Sequence, residues 1–228
     1  MNPTLQKQPA YDAAVGQVAR NKVLRNTFWL LALSMIPTVL GAFVSVSMQL
    51  PMFGGFMGFI IFMAIAFGFM YAIEKTKESA VGVFVLLGFT FFMGLMLGPL
   101  LRHTLGYSNG GSLIMTAFGG TAVVLAVMAT IATTTKRDFS GMGSWLMAGA
   151  VVILLAIVAN IFLQMPVLTI VISVLMIAVF SAFILYDVQR VVNGGETNYI
   201  TATLAIYLSV FNVFTALLRL LGIMGGDD

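Results

Sequence analysis

Residues 167–188 read VLTIVISVLMIAVFSAFILYDV and contain a single charged side chain, that of Asp187. An α-helix needs about 20 mostly apolar residues to cross the hydrocarbon core of a bilayer. Similar stretches fill most of the chain after residue 26. The seven predicted spans are Thr27–Met48, Met52–Ile73, Ser79–Leu101, Ser112–Thr135, Met142–Leu163, Val167–Val188 and Tyr199–Ile223. This pattern predicts an all-α integral membrane protein.

The overall composition supports this fold class. Apolar residues make up 60% of the chain and charged residues 8%, whereas soluble domains carry roughly 25% charged residues. The strands of a membrane β-barrel alternate apolar and polar residues, and these stretches do not. The length of the chain suits one helical bundle with short connections. Since residues 1–26 are polar, we predict a polar tail at 1–26 and one transmembrane domain at 27–228. The absence of cysteine excludes disulfides and thiol chemistry.

The distribution of cations predicts the orientation. Nine Lys and Arg residues fall on the side of the N-terminus, namely Lys7, Arg20, Lys22, Arg25, Lys75, Lys77, Lys136, Arg137 and Arg190. Only Arg102 and Arg219 fall on the other side. Cytoplasmic loops are enriched in such residues, so we expect a cytoplasmic N-terminus and a periplasmic C-terminus. Five aromatic residues are expected at the same cytoplasmic interface: Trp29, Tyr71, Trp145, Tyr186 and Tyr199.

Small residues and short connections predict how some spans pack. Gly94 and Gly98 in the third span have a spacing that lets helix backbones approach closely, as do Gly54 and Gly58 in the second. Short connections near Pro51 and Pro166 predict that spans 1 and 2, and spans 5 and 6, form antiparallel hairpins.

The tail at 1–26 lacks apolar periodicity and is expected to be disordered. Its cations could anchor it to anionic lipid, or the tail could be a segment that a cytoplasmic partner engages.

Asp187 is the one acidic residue within a predicted span. A carboxylate at the centre of a bilayer costs about 2.5–3.5 kcal/mol on insertion scales, so such a residue needs a reason. Burial disfavours its charged form, which makes Asp187 a candidate proton-sensitive switch. Alternatively, Arg190 lies one helical turn later and could neutralise it in an ion pair.

The loop Gly194-Gly195-Glu196-Thr197-Asn198 leads into the seventh span. Glu196 lies just before this helix, where a negative charge is favourable for the helix dipole. We therefore expect a structural role for Glu196 at the start of the helix.

Polar side chains also follow one face of the seventh span. Ser209, Asn212 and Thr215 are three residues apart in turn, and such side chains often bond to other helices. Asn160 and Gln164 in the fifth span are candidate partners for them.

The residues do not support the common catalytic or ligand sites. The seventh span has no lysine for a retinal Schiff base, and the only histidine, His103, is expected to be solvated. No cluster has metal-ligand spacing, and no glycine-rich loop opens a helix as a phosphate site. The net charge of +3 is explained by orientation rather than by nucleic-acid binding. An enzyme, a metal site and a nucleic-acid partner are therefore not expected.

Several motifs resemble those of the Bax inhibitor-1 family. They are Gly94 through Pro99-Leu100, Gly119-Gly120-Thr121, Thr135-Lys136-Arg137-Asp138-Phe139-Ser140, Asn160-Ile161-Phe162 and Ile184-Leu185-Tyr186-Asp187. The stretch Gly194-Gly195-Glu196-Thr197-Asn198-Tyr199-Ile200 further resembles the proteobacterial YccA-like branch. The resemblance implies seven helices, with the seventh central and wrapped by the other six.

Some members of this family are pH-sensitive calcium leaks in which two aspartates share a proton, and Asp187 matches the first. Ser209 stands where the second carboxylate would be. Some relatives also have an arginine in the second helix, and residues 52–73 of this chain contain none. Asp187, Ser209 and Asn212 are thus the candidate pH-sensing or gating residues, with Ca²⁺ as the possible transported ion and no cofactor.

The YccA-like branch implies a different role. It resembles a non-enzymatic modulator, and substrate, of the membrane AAA protease FtsH in the bacterial inner membrane. The expected partners are then the lipid bilayer and FtsH with its associated subunits. This is the leading hypothesis, and a pH-sensitive cation leak at Asp187 is the alternative.

Overall fold

The computed structural model describes residues 8–50 and 55–226. The helices are α1 (Gln8–Ser47), α2 (Gly55–Thr76), α3 (Ala80–Leu105), α4 (Gly110–Thr134), α5 (Gly143–Leu163), α6 (Pro166–Val192) and α7 (Tyr199–Gly225), and a 3-10 turn at Ser140–Met142 precedes α5. Each of these seven helices is long and apolar enough to cross a membrane. The prediction of an all-α protein with seven spans is confirmed.

The connections divide the bundle into two ends. At one end of the bundle, α2, α4 and α6 end and α3, α5 and α7 begin. We call it the basic end because five cations lie there: Lys75, Lys77, Lys136, Arg137 and Arg190. The opposite end, called the far end, carries the last residues of α1, α3, α5 and α7. Which end faces the cytoplasm stays a prediction from the charge pattern.

Helix α1 is much longer than its predicted span. Its 40 residues correspond to about 60 Å, twice the thickness of a hydrocarbon core of about 30 Å. Arg20 lies beside the loop between α6 and α7, since a Cβ added at Gly194 would be 3.4 Å from its Nε. Residues 8–19 therefore extend past the loops of the basic end.

The expectation of a disordered tail was consequently wrong for residues 8–26, which are helical. A helix can continue beyond its apolar stretch when the following turns are already formed, because adding a residue to an existing helix is far easier than nucleating one. Residues 1–7, the rest of the predicted tail, lie outside the described residues.

Glycines bring α1 and α3 into close contact. A Cβ at Gly94 would collide with the carbonyl of Thr38, and a Cβ at Gly41 would collide with the carbonyl of Phe91. Gly98 faces the hydroxyl of Ser45 in the same way. The predicted close packing at Gly94 and Gly98 is confirmed, and its partner is α1.

The two predicted hairpins have different outcomes. Only Gln164 and Met165 separate α5 from α6, and these helices pack against each other as expected. Helix α1, however, packs against α3, α6 and α7 rather than α2. The glycine contacts with α3 explain this correction, because they allow a closer approach than large side chains do. Pro51 and Gly54 lie outside the described residues.

Helix α7 lies in the core of the bundle and packs against α1, α2, α3, α4 and α6. Its buried side chains Ile206, Tyr207 and Val213 belong to the largest apolar cluster. Helix α5 lies mainly against α6. Wrapping of α7 by all six other helices is therefore not confirmed.

Three of the five expected interface aromatics are on the outer surface. Trp29, Tyr71 and Trp145 are 72%, 66% and 81% exposed, as suits side chains in an interfacial belt. Tyr186 and Tyr199 are instead half-buried within the bundle. His103 is exposed, as expected, and belongs to the last turn of α3.

Candidate functional site at the basic end

Asp187 lies near the end of α6 and is only 8% exposed. It makes no hydrogen bond or ion pair with any side chain in the described ranges 16–50 and 55–226. The charged groups that act on it electrostatically are Arg190 and Glu196. A buried carboxyl group near the C-terminal end of a helix is disfavoured in its charged form both by desolvation and by the helix dipole.

Arg190 does not form an ion pair with Asp187, which was one of the two alternatives that the sequence left open. Its Nη2 lies 3.7 Å from Oε2 of Glu196, and its guanidinium lies 5.7 Å from the centre of the Tyr186 ring. Tyr186 precedes Arg190 by four residues and therefore shares its face of the helix. The α6–α7 loop folds back and supplies Glu196 as the competing carboxylate, which is the physical reason for the correction.

The glycine pair in the loop ends α6. Gly194 has a φ of +78°, a left-handed conformation in which glycine is favoured. The amides of Gly195 and Glu196 then donate to the carbonyl of Arg190 at 2.8 and 3.1 Å. These bonds satisfy backbone groups at the end of the helix and fix where Glu196 lies.

Asn198 caps α7 and joins it to a neighbouring loop. Its side-chain oxygen accepts from the amides of Ile200 and Thr201 at 2.8 and 3.3 Å. Its Nδ2 donates to the carbonyl of Lys77 at 2.9 Å. Glu196, expected to act at this helix start, accepts from the amide of Asn198 at 3.0 Å and so supports the cap indirectly.

Gln189 is a site residue that the sequence reasoning missed. It is 4% exposed, its Oε1 accepts from the amide of Phe139, and its Nε2 donates to the carbonyl of Arg137, both at 2.6 Å. One side chain therefore attaches the α4–α5 loop to α6. The available signal for this role was a polar residue in the last turns of a predicted span, two positions after Asp187.

A cavity of about 180 Å³ opens beside these residues. It is lined by Asp138, Ser140, Tyr186, Gln189, Arg190, Asn193 and Gly195. The amide and hydroxyl of Ser140 donate to the Asp138 carboxylate at 2.9 and 3.0 Å, which holds the pKa of that carboxyl below its ordinary value. The cavity thus combines a carboxylate, a guanidinium and uncharged polar groups, which suits water or a small polar species.

Ser209 and Asn212 do not join Asp187. The hydroxyl of Ser209 donates to the carbonyl of Ala205 at 3.2 Å, and the Nδ2 of Asn212 donates to that of Leu208 at 2.8 Å. Asp187 is five residues before the end of α6, about 8 Å along its axis, and Ser209 is ten residues into α7, about 15 Å. The two side chains therefore lie at different depths.

The two candidate partners of the α7 stripe lie in or next to the turn between α5 and α6. Asn160 donates to Thr169 at 2.8 Å and accepts from the amide of Met165 at 3.0 Å. Gln164 ends α5 in a left-handed conformation with φ 51°. Neither candidate bonds to Ser209, Asn212 or Thr215, because the side chain of Asn160 is held by residues of the α5–α6 turn and Gln164 forms part of that turn.

Other residues make the polar contacts between α7 and its neighbours. Tyr207 bonds to Thr38 with 2.9 Å between the hydroxyl oxygens. Thr203 donates to the carbonyl of Thr27 at 3.2 Å. Both contacts join α7 to α1. Among the side chains that the structure describes, those of residues 16–50 and 55–226, no three His, Asp or Glu come close enough together to hold a metal ion.

Comparison with known proteins decides the family. The family described as "Inhibitor of apoptosis-promoting Bax1" matches residues 20–226. The chain belongs to the Bax inhibitor-1 family.

Bacterial members of the Bax inhibitor-1 family are similar over nearly the whole chain. The "Modulator of FtsH protease YccA" of Escherichia coli K12 is 39% identical over 210 residues, which cover 92% of this chain and 94% of YccA. An uncharacterized protein of Pseudomonas aeruginosa is 40% identical over 90% of this chain and 91% of its own. An uncharacterized protein of Neisseria meningitidis is 35% identical over 96% and 98%.

These relatives confirm the resemblance seen in the sequence motifs, including its YccA-like character. YccA of a second E. coli strain is named an inner membrane protein. Together with the seven apolar helices, this supports a multi-pass inner-membrane protein. Family membership and the name of YccA point to a membrane modulator rather than an enzyme.

Proposed function

We propose that this protein modulates the membrane AAA protease FtsH and is also its substrate, as a non-enzymatic component of membrane-protein quality control. The observation that carries the proposal is the 39% identity to a modulator of FtsH over 92% of this chain. The associated subunits of the protease are further candidate partners.

The orientation in the membrane forms part of this proposal. The basic end would face the cytoplasm because cytoplasmic loops are enriched in Lys and Arg. The N-terminus is then cytoplasmic, the C-terminus is periplasmic, and residues 8–19 of α1 extend into the cytoplasm. A membrane protease that pulls on its substrates requires such a protruding segment.

The tight core supports the modulating role. The backbones of α1 and α3 are in contact at Gly41 and Gly94, and α7 is hydrogen-bonded to α1 at Tyr207 and Thr203. Extraction of α1 must break these contacts together. A substrate that yields slowly occupies the protease and so reduces its action on other substrates.

Degradation by purified FtsH in liposomes tests the role of the protruding segment. We expect deletion of Met1–Val18 to prevent ATP-dependent loss of the full-length protein. Deletion of residues 226–228, at the other end of the chain, is the control and should leave the rate unchanged. Equal degradation of both deletion variants and the wild type would contradict the proposal that the protease engages this segment.

A pH-sensitive leak of calcium or another cation is the second candidate function. It is favoured by Asp187, a buried carboxyl group without a partner among the described side chains. Its neighbours Tyr186 and Arg190 on α6 line a polar cavity at the basic end. Ser209 and Asn212 donate to carbonyls of their own helix rather than to Asp187, so the candidate gate is reduced to this one carboxyl group.

Calcium flux into proteoliposomes tests the leak. Flux at about pH 6 and about pH 8 is compared for the wild type and Asp187→Asn, since the amide does not titrate. Asp138→Asn is the matched control, because that carboxylate lies in the loop beside the same cavity. A pH response that is lost only in Asp187→Asn supports the leak. Tight vesicles at both pH values, with folded protein, exclude it.

A further inference from the structure

The two cations of the far end are in different situations. Arg102 donates to the carbonyls of Ser45 and Leu50 at 2.7 and 3.3 Å and so satisfies the end of α1. Arg219 lies six residues before the end of α7, about 9 Å along the axis. It makes no hydrogen bond or ion pair with any side chain in the described part of the chain. A guanidinium within a membrane-spanning helix needs a polar partner.

Arg219 faces a cavity of about 240 Å³ between α5, α6 and α7. The cavity is lined by Ile157, Asn160, Ile161, Thr169, Ile172 and Arg219. The lining therefore has one cation, two uncharged polar side chains and three isoleucines. None of these lining residues is acidic.

The polar part of the cavity lies near the far-end termini of α5 and α6. Asn160 is three residues before the end of α5, and Thr169 is three residues after the start of α6. Their side chains bond to each other at 2.8 Å, and Asn160 also accepts from the amide of Met165. Because the ends of membrane-spanning helices are where lipid headgroups are expected, we place these two polar side chains near headgroup level.

Arginine binds phosphate well because its planar guanidinium can donate two parallel hydrogen bonds. The isoleucines provide an apolar surface on the membrane side of that cation. We propose that this cavity binds an anionic glycerophospholipid, with its phosphate on Arg219 and the start of an acyl chain against Ile157 and Ile161. A cavity of this volume holds the phosphate and glycerol, and the acyl chains extend into the bilayer.

The lipid is favoured over free phosphate for two reasons. The cavity is within the height of the membrane-spanning helices, and half of its lining residues are isoleucines. An inorganic phosphate ion would gain nothing from those side chains, whereas an acyl chain is stabilised by contact with them.

Binding of phosphatidylglycerol to the purified full-length protein tests this proposal. The protein is placed in phosphatidylcholine nanodiscs that contain increasing amounts of phosphatidylglycerol, and the retained lipid is quantified by native mass spectrometry. We expect Arg219→Gln to weaken binding about tenfold or more, the factor for the loss of charge-assisted hydrogen bonds. Lys136→Gln, an equal change of charge in an exposed loop at the other end, should bind like the wild type.

A second variant separates the cavity from the charge alone. Ile161→Trp keeps Arg219 but fills the space beside it, and it should also lose the lipid. Helical content measured by circular dichroism shows whether each variant is folded.

Three results would overturn the proposal: wild-type binding by Arg219→Gln, wild-type binding by a folded Ile161→Trp, or no preference for phosphatidylglycerol in the wild type. Inorganic phosphate added at millimolar concentration should not compete with the lipid, and full competition would show that the site takes free phosphate instead. None of these outcomes depends on FtsH.

Discussion

The hydroxyl of Tyr207 on α7 lies 2.9 Å from the hydroxyl of Thr38 on α1, and both side chains are buried. Thr38 is also within donating distance of the carbonyl of Ser34, at 2.8 Å, and Tyr207 of the carbonyl of Thr90, at 3.4 Å, so either hydroxyl can be the donor between them. This bond connects the core helix with the helix whose first turns extend beyond the basic end. A force on the N-terminal part of α1 therefore acts directly on the packing of α7.

Tyr207→Phe should lower the free energy of unfolding. Removal of the hydroxyl breaks the bond to Thr38, and interhelical hydrogen bonds in membrane proteins contribute about 0.6–1.7 kcal/mol. Reversible unfolding in mixed micelles measures the change, and a cycle with Thr38→Val isolates the pair. Tyr71→Phe, at an exposed site on α2, is the control. Additive effects of the Tyr207 and Thr38 substitutions would show that the bond contributes nothing.

Gly94→Ala should destabilise the bundle, by about 1–3 kcal/mol for an overpacked interface. The added methyl group would collide with the carbonyl of Thr38, and a backbone atom cannot move aside as a side-chain end can. Gly119→Ala is the matched control, because the same substitution there adds a Cβ that meets nothing within 4 Å. Thermal unfolding in detergent compares the two, and a Gly94→Ala variant as stable as Gly119→Ala would refute the close contact.

Val18→Pro should accelerate degradation by FtsH if the protease engages α1. Proline inside a helix is about 3 kcal/mol less favourable than alanine, so it should separate the first turns from the rest. Val18 is 69% exposed, and the change removes little packing. The rate of ATP-dependent loss in liposomes is compared with that of Val18→Ala, which keeps the helix. Identical rates would mean that helix stability in this segment does not limit engagement.

Gln189→Ala should release the α4–α5 loop. The substitution removes both bonds that attach the loop to α6, and each such bond contributes about 0.5–1.5 kcal/mol. Amide hydrogen exchange in residues 135–142 should become faster by roughly tenfold while α6 stays protected. Lys136→Ala, within the same exposed loop, provides the comparison. Unchanged exchange in Gln189→Ala would show that the loop is held by other contacts.

The number and position of the membrane-spanning helices could be predicted from the sequence. Whether a stretch of about 20 apolar residues forms a membrane-spanning helix depends on that stretch alone, because each helix satisfies its own backbone hydrogen bonds. The exception was α1, whose polar turns continue the helix without any apolar signal. The Gly94 and Gly98 spacing indicated a close contact, but it did not say which helix approaches.

The candidate site was predicted less completely than the fold. Asp187 was evident because a carboxyl group stands out in an apolar stretch, and Asn198 belonged to a loop motif that the sequence had marked. Gln189 was missed because its role depends on a loop about 50 residues away in the chain.

The sequence by itself determined that this chain forms seven apolar helices, and its motifs pointed to the family. These features depend on residues that are close together in the chain. Only the tertiary structure decided that Arg190 pairs with Glu196, that Ser209 lies too deep to meet Asp187, and that α1 packs on α3. Such contacts depend on the depth and rotation of each helix, which are set by packing across the whole bundle.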